Sequence, residues 1–132
     1  MRNKKILTLV FVVAFLTLLV GCYPSDPVKL TEIIVSPDKI TMLCGTTLQL
    51  KVTAVYDDGN HGDITSDCVY ESSNSFIVIV NTSEGSEGEI LGIAPGKATI
   101  ITVDCYEGLC FSDTAEVTVR VDAADQIIKI IR

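Results

Sequence analysis

Leu48, Leu50, Val52, Ala54 and Tyr56 alternate with Gln49, Lys51 and Thr53 along one continuous stretch. In an extended chain, successive side chains point to opposite faces, so this order places the apolar residues on one side and the polar ones on the other. The helical repeat of 3.6 would scatter the same residues around an axis. Ala115, Val117, Val119 and Val121 alternate with Glu116, Thr118 and Arg120 in the same way. Shorter runs rich in Val, Ile and Thr at 33–36, 40–43, 68–71, 76–80, 89–92 and 97–104 are further strand candidates. Turn-forming groups separate them: Ser36-Pro37-Asp38, Cys44-Gly45-Thr46, Asp57-Asp58-Gly59-Asn60, Ser83-Glu84-Gly85-Ser86 and Ala94-Pro95-Gly96. No stretch after residue 21 has a helical period. Seven or eight short strands of this kind predict an all-β, antiparallel β-sandwich. Its core is mostly aliphatic, because the chain has no Trp.

The first 21 residues follow another rule. Arg2, Lys4 and Lys5 precede an almost wholly apolar run from 6 to 20, broken only by Thr8 and Thr17. A basic start, an apolar run of this length and a small residue to end it form the layout of a secretory signal. The run falls short of the roughly 20 residues that a comfortable membrane span needs. Leu19-Val20-Gly21-Cys22 closes it and resembles the lipobox of bacterial lipoproteins. The resemblance implies cleavage before Cys22, diacylglycerol on its thiol and a fatty acid on the new amine. A thiolate suits that transfer as the nucleophile. Residues 22–29, with Pro24 and Pro27, read as an extended lipidated tether. The seven residues after Cys22 reach at most about 25 Å, so the domain sits close to its membrane, its expected partner.

All 17 acidic residues lie after residue 21, against seven of the 10 basic ones, a net charge of −10 for that part. Nucleic acid is excluded as a partner on this ground, since phosphate binding needs a basic surface.

Several ordered motifs resemble the group 2 bacterial immunoglobulin-like domains. Leu30-Thr31-Glu32-Ile33-Ile34-Val35-Ser36-Pro37 is similar to the family's opening strand and proline turn. Gly45-Thr46-Thr47-Leu48-Gln49-Leu50 is similar to the glycine leading into its second strand. Asp63-Ile64-Thr65-Ser66 and Tyr70-Glu71-Ser72-Ser73-Asn74 resemble its third strand, with Tyr70 where Trp is usual. The most specific piece runs from Gly88-Glu89-Ile90-Leu91-Gly92 through Ile93-Ala94-Pro95-Gly96 to Lys97-Ala98-Thr99-Ile100. The resemblance implies an immunoglobulin-like sandwich over 30–121. It departs from the family's pattern in the four cysteines after Cys22 and in the missing Trp. The tail, 122–132, contains Ile127-Ile128-Lys129-Ile130-Ile131-Arg132, similar to Leu30–Val35, 97 residues earlier. It reads either as the start of a second copy or as an extension of the last strand.

Export implies an oxidising compartment, so Cys44, Cys68, Cys105 and Cys110 are free to form disulfides, in three full pairings. Cys105 and Cys110 flank Tyr106-Glu107-Gly108-Leu109 and would staple a hairpin. The family's strand order implies that Cys44 and Cys68 stand at opposite ends, too far apart to bond. Cys68 then competes for a hairpin cysteine, and Cys44 stays free or pairs outside the domain.

Catalytic signals are absent. The single His61 lies in Asp57-Asp58-Gly59-Asn60-His61-Gly62-Asp63, with no nucleophile and base set around it. That loop has oxygens suited to calcium but lacks the spacing of a helix-loop-helix calcium loop, and the scattered cysteines do not make a zinc site. No cofactor or metal is expected. The expected function is a non-catalytic adhesive or spacer module at the cell envelope, as the resemblance implies. Its contact site is the loop Tyr106, Glu107, Gly108 and Leu109, facing a protein or glycan. The alternative is a carbohydrate- or small-ligand-binding accessory lipoprotein. The lack of Trp for stacking on sugar rings weighs against it.

Overall fold

A computed structural model describes residues 26–122, and the signal segment 1–21, Cys22 and most of the tail lie outside the described residues. Ten strand segments follow in order. They are β1 (Leu30–Ser36), β2 (Lys39–Leu43), β3 (Thr47–Gln49), β4 (Lys51–Tyr56) and β5 (His61–Asp63), then β6 (Val69–Ser72), β7 (Val78–Val80), β8 (Glu89–Gly92), β9 (Gly96–Tyr106) and β10 (Leu109–Arg120). One layer is the four-stranded sheet β2-β10-β9-β6. The other is built from β1-β4-β5 and β3-β8-β7, joined where β3 runs into β4 through Leu50. The fold is the immunoglobulin-like sandwich.

The best-patterned stretch is thus divided between two hydrogen-bonded sheets. Leu50 N–H donates to Gly88 O, while β4 continues along β1. Its alternation still holds: Leu50, Val52 and Ala54 are buried, and Gln49 and Lys51 are exposed. They share one core with Ile33 and Val35 of β1, Val78, Ile90, Tyr70, Ile100, Val117 and Val119. Thr102 is buried in the same core, its Oγ1 without a hydrogen-bond partner among the described residues.

The structure corrects the sequence reading in four places. The segments number ten, because the 48–56 stretch divides and His61–Asp63 adds a short strand on β4. The pairing is not wholly antiparallel: after Ser36-Pro37 the chain crosses to the other layer, where β2 lies parallel to β10. Phe76 and Ile77 leave strand 76–80 for a turn. Asn74 Oδ1 accepts from Phe76 N–H, and Asn74 O accepts from Ile77 and Val78, so these backbone groups are taken before a strand begins. The last two strands are longer than their sequence pattern, β10 reaching back to Leu109. Polar Ser112 and Asp113 concealed that start, and the pairing with β9 supplies it.

Candidate functional site

β9 and β10 pair antiparallel from Gly96 and Val119 down to Tyr106 and Leu109. Only Glu107 and Gly108 connect them, with φ of 49° and 81°. Two residues of positive φ match the right-handed twist of the flanking strands, which is why two-residue hairpin loops favour this geometry. Gly108 adopts it freely. Glu107 places a Cβ in a sparsely populated region, which the tight connection imposes. Cys105 and Cys110 face each other directly across the ladder and form a disulfide. The loop it closes is short, so it restrains the unfolded chain by only about 2 kcal/mol. Its stronger consequence is local, since it fixes the two strands at the base of the turn.

The exposure of this tip follows from register. Ala98, Ile100 and Thr102 on β9, and Ala115, Val117 and Val119 on β10, point into the core. Alternation continues that face to Tyr106 on one strand and to Phe111 and Leu109 on the other. The facing layer ends sooner, where Leu30 pairs with Tyr56. The hairpin therefore overhangs its partner layer, and the last members of its inward stripe lose their cover. Phe111 is half-buried, whereas Tyr106 is 50% and Leu109 65% exposed. A cleft of about 160 Å³ lies between the hairpin and the start of β1, lined by Lys29, Leu30, Tyr106, Glu107, Leu109 and Phe111. The expected contact loop is thus placed at the end of the sandwich where the chain comes in.

Other sequence candidates are engaged in local structure. Asp57 Oδ1 accepts from Lys29 N–H, and Asp58 accepts from the Asn60 backbone and side-chain nitrogens. Asp63 accepts from the Thr65 hydroxyl and N–H, which together hold its carboxyl below the usual carboxylate range. No group of three or more His, Cys, Asp or Glu among the described residues is placed to hold a metal ion. His61 is exposed on β5, opposite Val55. Tyr70, in the position usual for Trp, is buried and donates to Thr65 O. Burial, with Cys68 and nearby carboxylates, pushes its phenol up.

Cys44 and Cys68 are both free thiols. Burial, then Asp104, Asp67 and Asp63, pushes the Cys68 thiol up to about 12. Cys44 sits half-buried at the opposite end, its Sγ donating to Ile93 O. That end holds a feature the sequence reading missed. Leu43, at the end of β2, and Phe76 and Ile93, on the neighbouring turns, are exposed, Phe76 at 83%. An apolar residue inside a β-like run reads as core, and only the Asn74 turn reveals it as surface.

Residues 29–106 match the bacterial Ig-like domain (group 2). The chain belongs to that family. Ice-binding protein 1 of Shewanella frigidimarina is 38% identical over 72 residues, 54% of this chain and 8% of that protein. The crystal structure of the S-layer protein SbsC matches 74% of this chain and 14% of its own at TM-score 0.59 and 20% identity. A piece holding SbsC domains 4 and 5 gives 0.55 at 22% identity, over 73% of this chain and 54% of its own. At that identity the likeness to SbsC shows the fold alone. The Ig-like chain spans under a tenth of the length of its ice-binding relative. The family match stops at Tyr106, yet β10, which follows it, lies between β2 and β9.

Proposed function

We propose that this Ig-like chain is a non-catalytic spacer or adhesive module, held at the cell envelope by lipid on Cys22. One observation carries the reading. The first strand begins at Leu30, beside the β9–β10 tip, and the last ends at Arg120, beside Cys44. These points lie at opposite ends of β10, whose 12 residues span roughly 40 Å at about 3.3 Å each. A rigid body with its two connections at opposite poles separates what is attached to each. The ice-binding relative supports the reading, because in it the matched part is a small share of a long protein. The carboxyl end, with Leu43, Phe76 and Ile93, is then what the module presents to a protein or glycan.

Cys22→Ser tests the anchor. Wild-type protein is expected to incorporate radioactive fatty acid and to sediment with membranes, and the variant to do neither. Equal labelling of the two proteins would overturn the lipoprotein reading.

A further inference from the structure

The cleft and overhang at the amino end are not used by a spacer as such. We propose that the β9–β10 tip is a lipid-contact element, with Tyr106 and Leu109 seated in the interfacial layer of the membrane that carries the Cys22 lipid. This rests on the lipoprotein reading and deepens it.

Three observations lead there. First, Tyr106 and Leu109 are directly paired across the ladder and share the inward-facing side of the hairpin, beyond the end of the facing layer. They form an apolar ledge with Phe111 beneath. Second, the ledge borders Lys29 and Leu30, where the chain emerges from its tether. Lys29 is only the seventh residue after Cys22, a reach of at most about 25 Å. This end of the sandwich is therefore the one held against the bilayer, and the carboxyl end lies a strand's length further out. Third, the ledge is fixed in place by the disulfide and the two-residue turn. Little conformational freedom remains to be lost when the tip meets a surface.

The side chains suit that layer. Tyrosine favours membrane–water interfaces, with its ring in the apolar region and its hydroxyl in water, and Leu109 supplies apolar area. Two such residues bind too weakly to hold a protein alone. A short tether converts their contact into an intramolecular event at high local concentration. The charges select the lipid: Glu107 is in the turn itself, Asp104 precedes it on β9, and Asp57 and Asp58 stand at the same end, outnumbering Lys29 at the border of the ledge. This acidic setting disfavours an anionic bilayer and favours a zwitterionic one.

The chain has no Trp, so Tyr106→Trp installs a single fluorescent reporter in the ledge, and Phe76→Trp installs one at the other end. Both positions are exposed. Each full-length variant is purified from membranes, its Cys22 lipid is verified by mass, and it is reconstituted in phosphatidylethanolamine–phosphatidylcholine vesicles containing brominated lipid. The Tyr106→Trp emission is expected to shift to the blue and to be quenched, more by bromines near the glycerol end of the acyl chain than by those near its terminus. Phase partners tested in parallel are vesicles half composed of phosphatidylglycerol, in which the quenching is expected to fall. The Phe76→Trp emission is expected to remain that of a solvated indole. Solvent-like, unquenched emission from Tyr106→Trp with the lipid present overturns this inference alone. So does a blue shift without quenching, which assigns the ledge to the chain's own tether. Absence of lipid on Cys22 by mass overturns the lipoprotein reading and this inference with it.

Discussion

The two ends of the sandwich both leave apolar side chains in water, but they do so by different routes. At the amino end, Tyr106 and Leu109 lie on a covalently closed hairpin that outreaches its partner layer, with Asp57, Asp58 and Glu107 in the neighbouring turns. At the carboxyl end, Leu43, Phe76 and Ile93 lie at or beside the turns 44–46, 73–77 and 93–95, which contain no charged residue. Backbone hydrogen bonds hold those turns together: Cys44 donates to Arg120, Gly45 to Gly92, Ile93 to Ile77 and Ser73 to Thr99. One end is thus held by a cross-link and has acidic turns, and the other is held by backbone hydrogen bonds and has uncharged turns. A module with unlike poles has a defined direction, and this chain's polarity is written in its turns rather than in its strands.

The largest expected effect comes from the core that joins the poles. Leu50 is wholly buried where β3 meets β4. Leu50→Asp places a charge there and is expected to cost more than about 4 kcal/mol, enough to unfold the domain. Lys51→Asp, one residue along on the exposed face, is expected to stay within about 0.5 kcal/mol of wild type. Urea denaturation followed by circular dichroism measures both. Similar losses would mean that the two poles are not joined through this register.

A smaller contrast compares the poles themselves. At the carboxyl end, a Cβ on Gly96 would lie 2.6 Å from Ile77 Cδ1, on a backbone with φ of 146°. Gly96→Ala is expected to cost about 3 kcal/mol from the clash and the strain together. At the amino end, Gly108 has φ of 81° and open space around it. Gly108→Ala is expected to cost only about 1–2 kcal/mol, from the left-handed conformation alone. If thermal denaturation ranks Gly108→Ala as the more damaging, the amino end is the more tightly packed one and the comparison reverses.

The last contrast is chemical and leaves stability almost untouched. A thiol at about 12 instead of 9.0 carries ~1,000-fold less thiolate at neutral pH. Cys68 is expected to resist iodoacetamide until the protein is denatured, Cys44 to react in the folded state, and Cys105 and Cys110 only after reduction. The raised thiol also sets a direction for pH. Folding favours protonated Cys68, so its contribution is complete below pH 9 and fades as pH climbs toward 12. Mass mapping that finds Cys68 modified before Cys44 would show that the core opens more readily than the turns at the carboxyl end.

The alternation at 48–56 and 115–121, read against turn groups at 36–38, 44–46, 57–60 and 94–96, determined by itself that this chain is a sandwich and which face of these two stretches turns to its core. Burial is the reason: half-buried strands repeat every two residues, and the repeat survives in the sequence even where Leu50 divides one stretch between two sheets. The position of Cys105 and Cys110 on either side of four residues likewise made a staple legible. Other features depend on partners distant in the chain. The parallel pairing of β2 with β10 joins residues 77 apart, such as Lys39 and Glu116, and no local pattern records it. The turn that exposes Phe76 depends on the side chain of Asn74 taking a backbone N–H, which hydrophobicity does not register. The bareness of Tyr106 and Leu109 follows from where β1 and β4 end on the other layer. Exposure is a property of what lies opposite, and only the tertiary structure decides that.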